Sequence, residues 1–167
     1  ATLKRNADIA MYKAKVAGRG NIQNFTQEMF EAQRQKRSTE QELRKSKFEL
    51  FYQPQVDLDG RISGLEALLR LHHPQHGMML PEQFIPIAED TGLILGIGDW
   101  VLRHVCRQIR AWKDAGLRLF PIAVNISARH FAQPDFVRQI AALLQQNGIE
   151  GRCLGWGPAE SWERKRR

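Results

Sequence analysis

At 167 residues and 43% hydrophobic content, the chain can build one domain with a core, which excludes pervasive disorder. No apolar run reaches the roughly 20 residues that span a bilayer, ATLKRNADIA lacks a secretory leader's apolar stretch, and the isolated Cys106 and Cys153 make neither a disulfide framework nor a CxxC site. The cysteines read as reduced thiols of a cytoplasmic protein with no membrane segment, and the net charge of +7 sits in the flanks (+6 over residues 1–48, −1 over 49–152, +2 over 153–167), which argues against a nucleic-acid partner.

In chain order, NADIAMYKAKVAG reads as a short helix with Asp8 or Asn6 at its start and Gly18 at its end. NIQNF (21–25) alternates like a strand, so the chain opens on what looks like the end of an earlier domain. From Thr26 to Lys47 the sequence favours helix but is almost free of apolar residues. Such a helix connects domains or pairs weakly with a copy of itself, and without sustained heptads it is not a strong coiled coil.

The pattern then changes. FELFYQPQVDL (48–58) and ISGLEALLRL (62–71) are strands joined by an Asp59-Gly60 turn. PEQFIPIAEDTG (81–92) starts a helix on proline, and Asp99–Ala115 is an amphipathic helix with Val101, Leu102, Val105, Ile109 and Trp112 on one face. LFPIAVNIS (119–127) is a short buried strand, and a helix runs from Pro134 to Gln146 before Asn147-Gly148. Strands alternating with helices of this length give an α/β architecture with its chemistry at strand ends.

Glu66 and Asn125 are the two polar side chains set inside apolar strands. A carboxylate and an amide oxygen on neighbouring strand ends suit a hard cation such as Mg²⁺ or Mn²⁺, and Arg70 could hold a phosphate through two parallel hydrogen bonds. Spacing alone leaves a second reading open, in which Glu66 pairs with Arg70 as a structural ion pair and Asn125 satisfies loop backbone. HHPQH (72–76) reads as a solvated loop, because Pro74 would break a helix aligning His72 with His76 and no acidic or thiol partner is near.

YQPQVDL (52–58), EALLR (66–70), HP (73–74), FIPIAEDTGLI (84–94), WVL (100–102) and VNIS (124–127) together resemble the first part of an EAL domain, the cyclic di-GMP phosphodiesterase family. ADIAMYKAKVAGRGNIQNF (7–25) is similar to the closing helix and strand of a GGDEF domain, the cyclic di-GMP synthase family. The resemblance implies a GGDEF remnant over 1–25, a linker helix over 26–47, the N-terminal part of a TIM-like (β/α) barrel over 48–152, and a divergent or truncated tail over 153–167. It implies Glu66 and Asn125 as metal ligands, Gln53 and Arg70 as dinucleotide contacts, Mg²⁺ or Mn²⁺ as cofactor, and cyclic di-GMP as ligand. The family reaction is metal-dependent hydrolysis to linear pGpG. Leu71 stands where a Trp is common.

After residue 152 this chain reads CLGWGPAESWERKRR, where the family continues with a strand of the form LELEITES, then DDFGTG and further acids. Gly155 and Gly157 fall at acidic positions, Gly157 at that of a metal-binding Glu. A complete barrel takes about 250 residues. The expectation is therefore an incomplete barrel without hydrolytic activity, able to associate through its linker helix or an exposed sheet edge. Two alternatives stay open: an inactive module that binds cyclic di-GMP or a protein, and a non-functional gene fragment.

Overall fold

The computed structural model describes residues 27–45 and 47–157, and the chain divides into two units, 1–41 and 42–167. The helix expected within 6–18, the strand at 21–25 and the domain remnant assigned to 1–25 lie outside the described residues. Helix α1 (Gln27–Arg44) forms within the stretch expected as a polar helix. In the first unit, the Gln27 side chain donates to Glu31 one turn later at 3.0 Å, the i,i+4 pairing that supports a helix with little apolar surface. No helix among the described residues is long and apolar enough to cross a membrane.

The second unit opens on an antiparallel hairpin of β1 (Phe48–Val56) and β2 (Ile62–His73). Asp57 organises the turn: its carboxylate accepts from the backbone N–H of Asp59 and of Arg61 at 3.0 and 2.9 Å. Gly60, with φ 74°, supplies the left-handed residue that the turn needs. Side chains alternate across the ladder. Phe48, Leu50 and Tyr52 lie opposite Leu71, Leu69 and Ala67 on the core face, while Glu49, Phe51 and Gln53 lie opposite Arg70, Leu68 and Glu66 on the other. Burial pushes the Tyr52 phenol up to about 12.

Strand β2 continues two residues beyond the expected Leu71, because its end pairs with β3 (Gly77–Met79). This corrects the solvated-loop reading of HHPQH. His73 is buried, and its Nδ1 accepts from the backbone N–H of Gln75 and His76 at 3.1 and 3.3 Å, which ties the turn to the strand.

Helix α2 (Pro81–Asp90) starts on its proline, as expected. Helix α3 (Ile94–Asp114) begins five residues earlier than the sequence pattern indicated. Two glycines within GIGD read as a break, yet the buried stripe Ile94, Ile97, Val101, Leu102, Val105, Ile109 runs straight through them. Gly98 is there for packing: a Cβ on it would lie 2.1 Å from Nδ1 of the buried His130. Strand β4 (Ile122–Val124) leads to the short α4 (Ala128–Phe131), whose first turn is capped by Ser127 Oγ accepting from the His130 N–H at 3.2 Å. Helix α5 (Phe136–Asn147) ends on Gly148 in the left-handed conformation, φ 59°.

The sheet does not stop at residue 152. After a 3₁₀ turn (Gly151–Cys153), β5 (Leu154–Trp156) pairs in parallel with β4, in register Ile122↔Leu154 to Val124↔Trp156. These residues fall in the stretch expected as a divergent tail. The buried Cys153 and Leu154 explain why the ordered sheet reaches them. Strand order is β1-β2-β4-β5, with β2, β4 and β5 parallel. This is an α/β fold in which α2 and α3 bridge β2 to β4, and α4 and α5 bridge β4 to β5. The core lies on one face of the sheet, where Ala67, Leu69, Leu71, Ile122 and Val124 meet the buried stripe of α3.

Gly98→Ala should lower stability by about 1–3 kcal/mol in urea unfolding, because the His130 ring, enclosed against Phe136, has nowhere to move. Gly96→Ala, two residues away with nothing within 4 Å of its Cβ, should instead be neutral or stabilising by up to about 1 kcal/mol. Equal losses in both variants would remove the packing explanation.

Candidate functional site

Glu66 lies in β2 with Gln53 of β1 directly across from it and Ala123 of β4 beside it on the other flank. Asn125 follows β4 two residues after Ala123, so the pleat brings it to the same face. The two side chains meet: Asn125 Nδ2 donates to Glu66 Oε1 at 2.8 Å. Three of the four residues singled out from the sequence, Gln53, Glu66 and Asn125, are thereby brought to one neighbourhood.

Arg70 shares their face but stands four residues along an extended strand from Glu66, about 13 Å at the usual rise. Its Nη1 donates to the Leu69 carbonyl at 2.8 Å, and its guanidinium lies 5.8 Å from the centre of the Phe51 ring. The Glu66–Arg70 ion pair left open by the sequence does not form. Glu66 takes its hydrogen bond from Asn125 instead, and the guanidinium donates to the Leu69 carbonyl. Four residues make one turn of a helix, but on a strand they separate two side chains.

Two residues next to Arg70 carry no motif. Glu49, opposite Arg70 in the ladder, accepts from His72 Nε2 at 2.6 Å. Phe51 supports the guanidinium from below. The signal that finds them is the period-two alternation of β1, which puts residues 49, 51 and 53 on one face.

Glu66 and Asn125 offer donors of the right kind for a hard divalent cation. Their number falls short. Asn125 turns its N–H, not its oxygen, toward the carboxylate, and no group of three or more His, Cys, Asp or Glu side chains that could hold a metal exists among the described residues. At the end of β5, Gly157 brings its backbone alone: its N–H donates to the Val124 carbonyl at 3.0 Å, and a Cβ on it would lie 2.5 Å from Asn125 Oδ1. These residues by themselves do not fit a divalent-ion centre, which needs about three protein ligands.

The family model described as "EAL domain" matches residues 36–161, well over half of the chain. MucR of Pseudomonas aeruginosa, a bifunctional diguanylate cyclase/cyclic di-GMP phosphodiesterase, is 45% identical over 150 residues, which is 87% of this chain and 22% of that protein. The cyclic di-GMP phosphodiesterase PdeR of Escherichia coli is 39% identical over 150 residues, again 87% of this chain and 22% of that protein. Among solved structures, the MucR phosphodiesterase in complex with c-di-GMP aligns with a TM-score of 0.65 and 44% identity, over 71% of this chain and 48% of that one. The Xanthomonas citri FimX EAL domain in complex with c-diGMP aligns with a TM-score of 0.62 and 28% identity, over 77% and 50%. The chain thus spans about a fifth of these relatives and about half of these solved domains.

Asn125→Ala removes the donor to the part-buried Glu66 and should cost about 1 kcal/mol in chemical unfolding. Gln53→Ala, at an exposed position, should cost less than about 0.5 kcal/mol. An Asn125→Ala variant as stable as the unchanged chain would mean that the hydrogen bond contributes nothing.

Proposed function

Since the chain belongs to the EAL domain family, we propose that residues 42–157 carry part of a cyclic di-GMP site. Gln53 and Arg70 contact the dinucleotide, and Glu66 and Asn125 supply two of the ligands to Mg²⁺ or Mn²⁺. The observation that carries this reading is the convergence of Glu66 and Asn125 from adjacent parallel strands, with Gln53 across the ladder and Arg70 farther along the same face. The MucR phosphodiesterase and the FimX EAL domain both hold c-di-GMP in their solved structures, which supports the choice of ligand.

Arg70 suits a phosphodiester in chemistry as well as in position. A guanidinium presents a planar fork of N–H donors that stays charged at any physiological pH and matches two phosphate oxygens at once. One of its nitrogens is fixed on the Leu69 carbonyl and its plane is supported by Phe51, so part of the ordering entropy is already spent before a ligand arrives. With two candidate metal ligands among the described residues, we read residues 42–157, on their own, as binding without hydrolysing. The barrel, of which β1 to β5 with their helices form a part, would have to bring the remaining acids. The resemblance of residues 7–25 to a GGDEF terminus supports a tandem arrangement joined by α1, and the cyclase named in MucR's description supports the same pairing.

Calorimetric titration with cyclic di-GMP tests the reading. The chain should bind in the presence of Mg²⁺ or Mn²⁺, and Arg70→Ala should weaken binding by at least about tenfold. Chromatography of the same mixtures should show no pGpG. Equal binding by Arg70→Ala would overturn the assignment of Arg70, and pGpG formation would overturn the separation of binding from hydrolysis.

A further inference from the structure

We propose that His72 acts as a positioning residue: it holds the Glu49 carboxylate away from Arg70 and so keeps the guanidinium open to a phosphodiester. The proposal rests on the reading of Arg70 as the dinucleotide contact given above.

Directly opposite residues of an antiparallel pair stand about 5 Å apart at Cβ, and opposite charges there attract. Glu49 and Arg70 are such a pair, acid against base on the same exposed face. Left to themselves they would form a salt bridge, and a phosphate would have to compete with a carboxylate already in place. The structure shows a different pairing. Glu49 reaches along the diagonal to His72 at 2.6 Å, with both side chains about half exposed. Arg70 reaches along the parallel diagonal over the Phe51 ring, toward the Glu66 end of the strand. The two side chains lean opposite ways along the face, Glu49 toward His72 and Arg70 toward Phe51. His72 occupies the diagonal position that makes this possible, and it is fixed there by its backbone N–H donating to the Lys47 carbonyl at 2.9 Å. Among the described residues Arg70 hydrogen-bonds the Leu69 carbonyl and forms no ion pair with an acid.

The same geometry assigns Glu49 a second effect. A carboxylate engaged by a histidine repels an approaching phosphate less than a bare one does, because hydrogen bonding spreads its charge. His72 therefore acts on the site twice, by removing a competitor for Arg70 and by muting an anion beside the ligand's path. Neither effect requires His72 to touch the dinucleotide.

The experiment compares the unchanged chain with His72→Ala, Glu49→Gln and the double variant. Two measurements are made: the rate at which phenylglyoxal modifies Arg70, mapped by peptide mass spectrometry, and cyclic di-GMP affinity by calorimetry. His72→Ala should slow Arg70 modification and weaken cyclic di-GMP binding by about fivefold, the scale of a surface ion pair. The double variant should recover both, to within about twofold of Glu49→Gln alone. A histidine that merely stiffened the hairpin would not be rescued by changing Glu49. Unchanged Arg70 reactivity in His72→Ala, or a double variant as impaired as the single one, overturns the proposal whatever the binding data show. If no variant binds the dinucleotide while Arg70 reactivity follows the expected order, the competition between Glu49 and His72 is established and the binding role of Arg70 is what fails.

Discussion

The register of β2 against two neighbours at once is the constraint on which the rest of the structure depends. On one side β1 runs antiparallel and sets Gln53 against Glu66; on the other β4 runs parallel and sets Ala123 beside it. Side chains alternate with a period of two, so a slip of one residue would exchange the faces. Glu66 and Arg70 would then enter the core, and Ala67, Leu69 and Leu71 would leave it. Burying two charges without partners costs far more than any local rearrangement could return. Apolar burial on one face thus fixes where the polar groups stand on the other, and the site's geometry follows from the oil behind it.

That dependence explains which features can be read from the amino-acid order. The hairpin was legible because FELFYQPQV and ISGLEALLRL are β-rich runs either side of Asp59-Gly60. The helical stripe of α3 and the glycine stop after α5 were legible for the same reason, since each is a local pattern. The convergence of Glu66 with Asn125 was predicted from motif position, and the side chains do meet. What escaped is non-local. The early start of α3 turns on Gly98 making room for a ring 32 residues later in the chain. The end of β2 depends on β3, and β5 exists because Leu154 finds a place beside Ile122. Composition near those points argues for a break or a tail, and tertiary pairing overrides it.

The face opposite the core is arranged so that Arg70 is not paired with either nearby carboxylate. Glu66 is satisfied by an amide, Glu49 by an imidazole, and Arg70 by a carbonyl and an aromatic ring. Direct salt bridges would have been available from the register and would neutralise the charge a ligand needs. Keeping Glu66 and Arg70 on neutral partners preserves the electrostatic pull of the surface while still meeting their hydrogen-bonding requirement. Gly157 contributes backbone alone, because a side chain there would collide with the Asn125 amide.

The His130 ring seated against Gly98 has a mechanical consequence for the loop that bears Asn125. One end of that loop is clamped by the hydrogen bonds of β4, and the other is keyed into a notch on α3 where a side chain is missing. Asp99, next to the notch, latches the ring through its Nε2 at 3.1 Å. A strand and a helix therefore share custody of one short span, and rotating or sliding α3 would drag the amide relative to the carboxylate. The helical layer behind the sheet thus serves as the gauge that sets the spacing on its front.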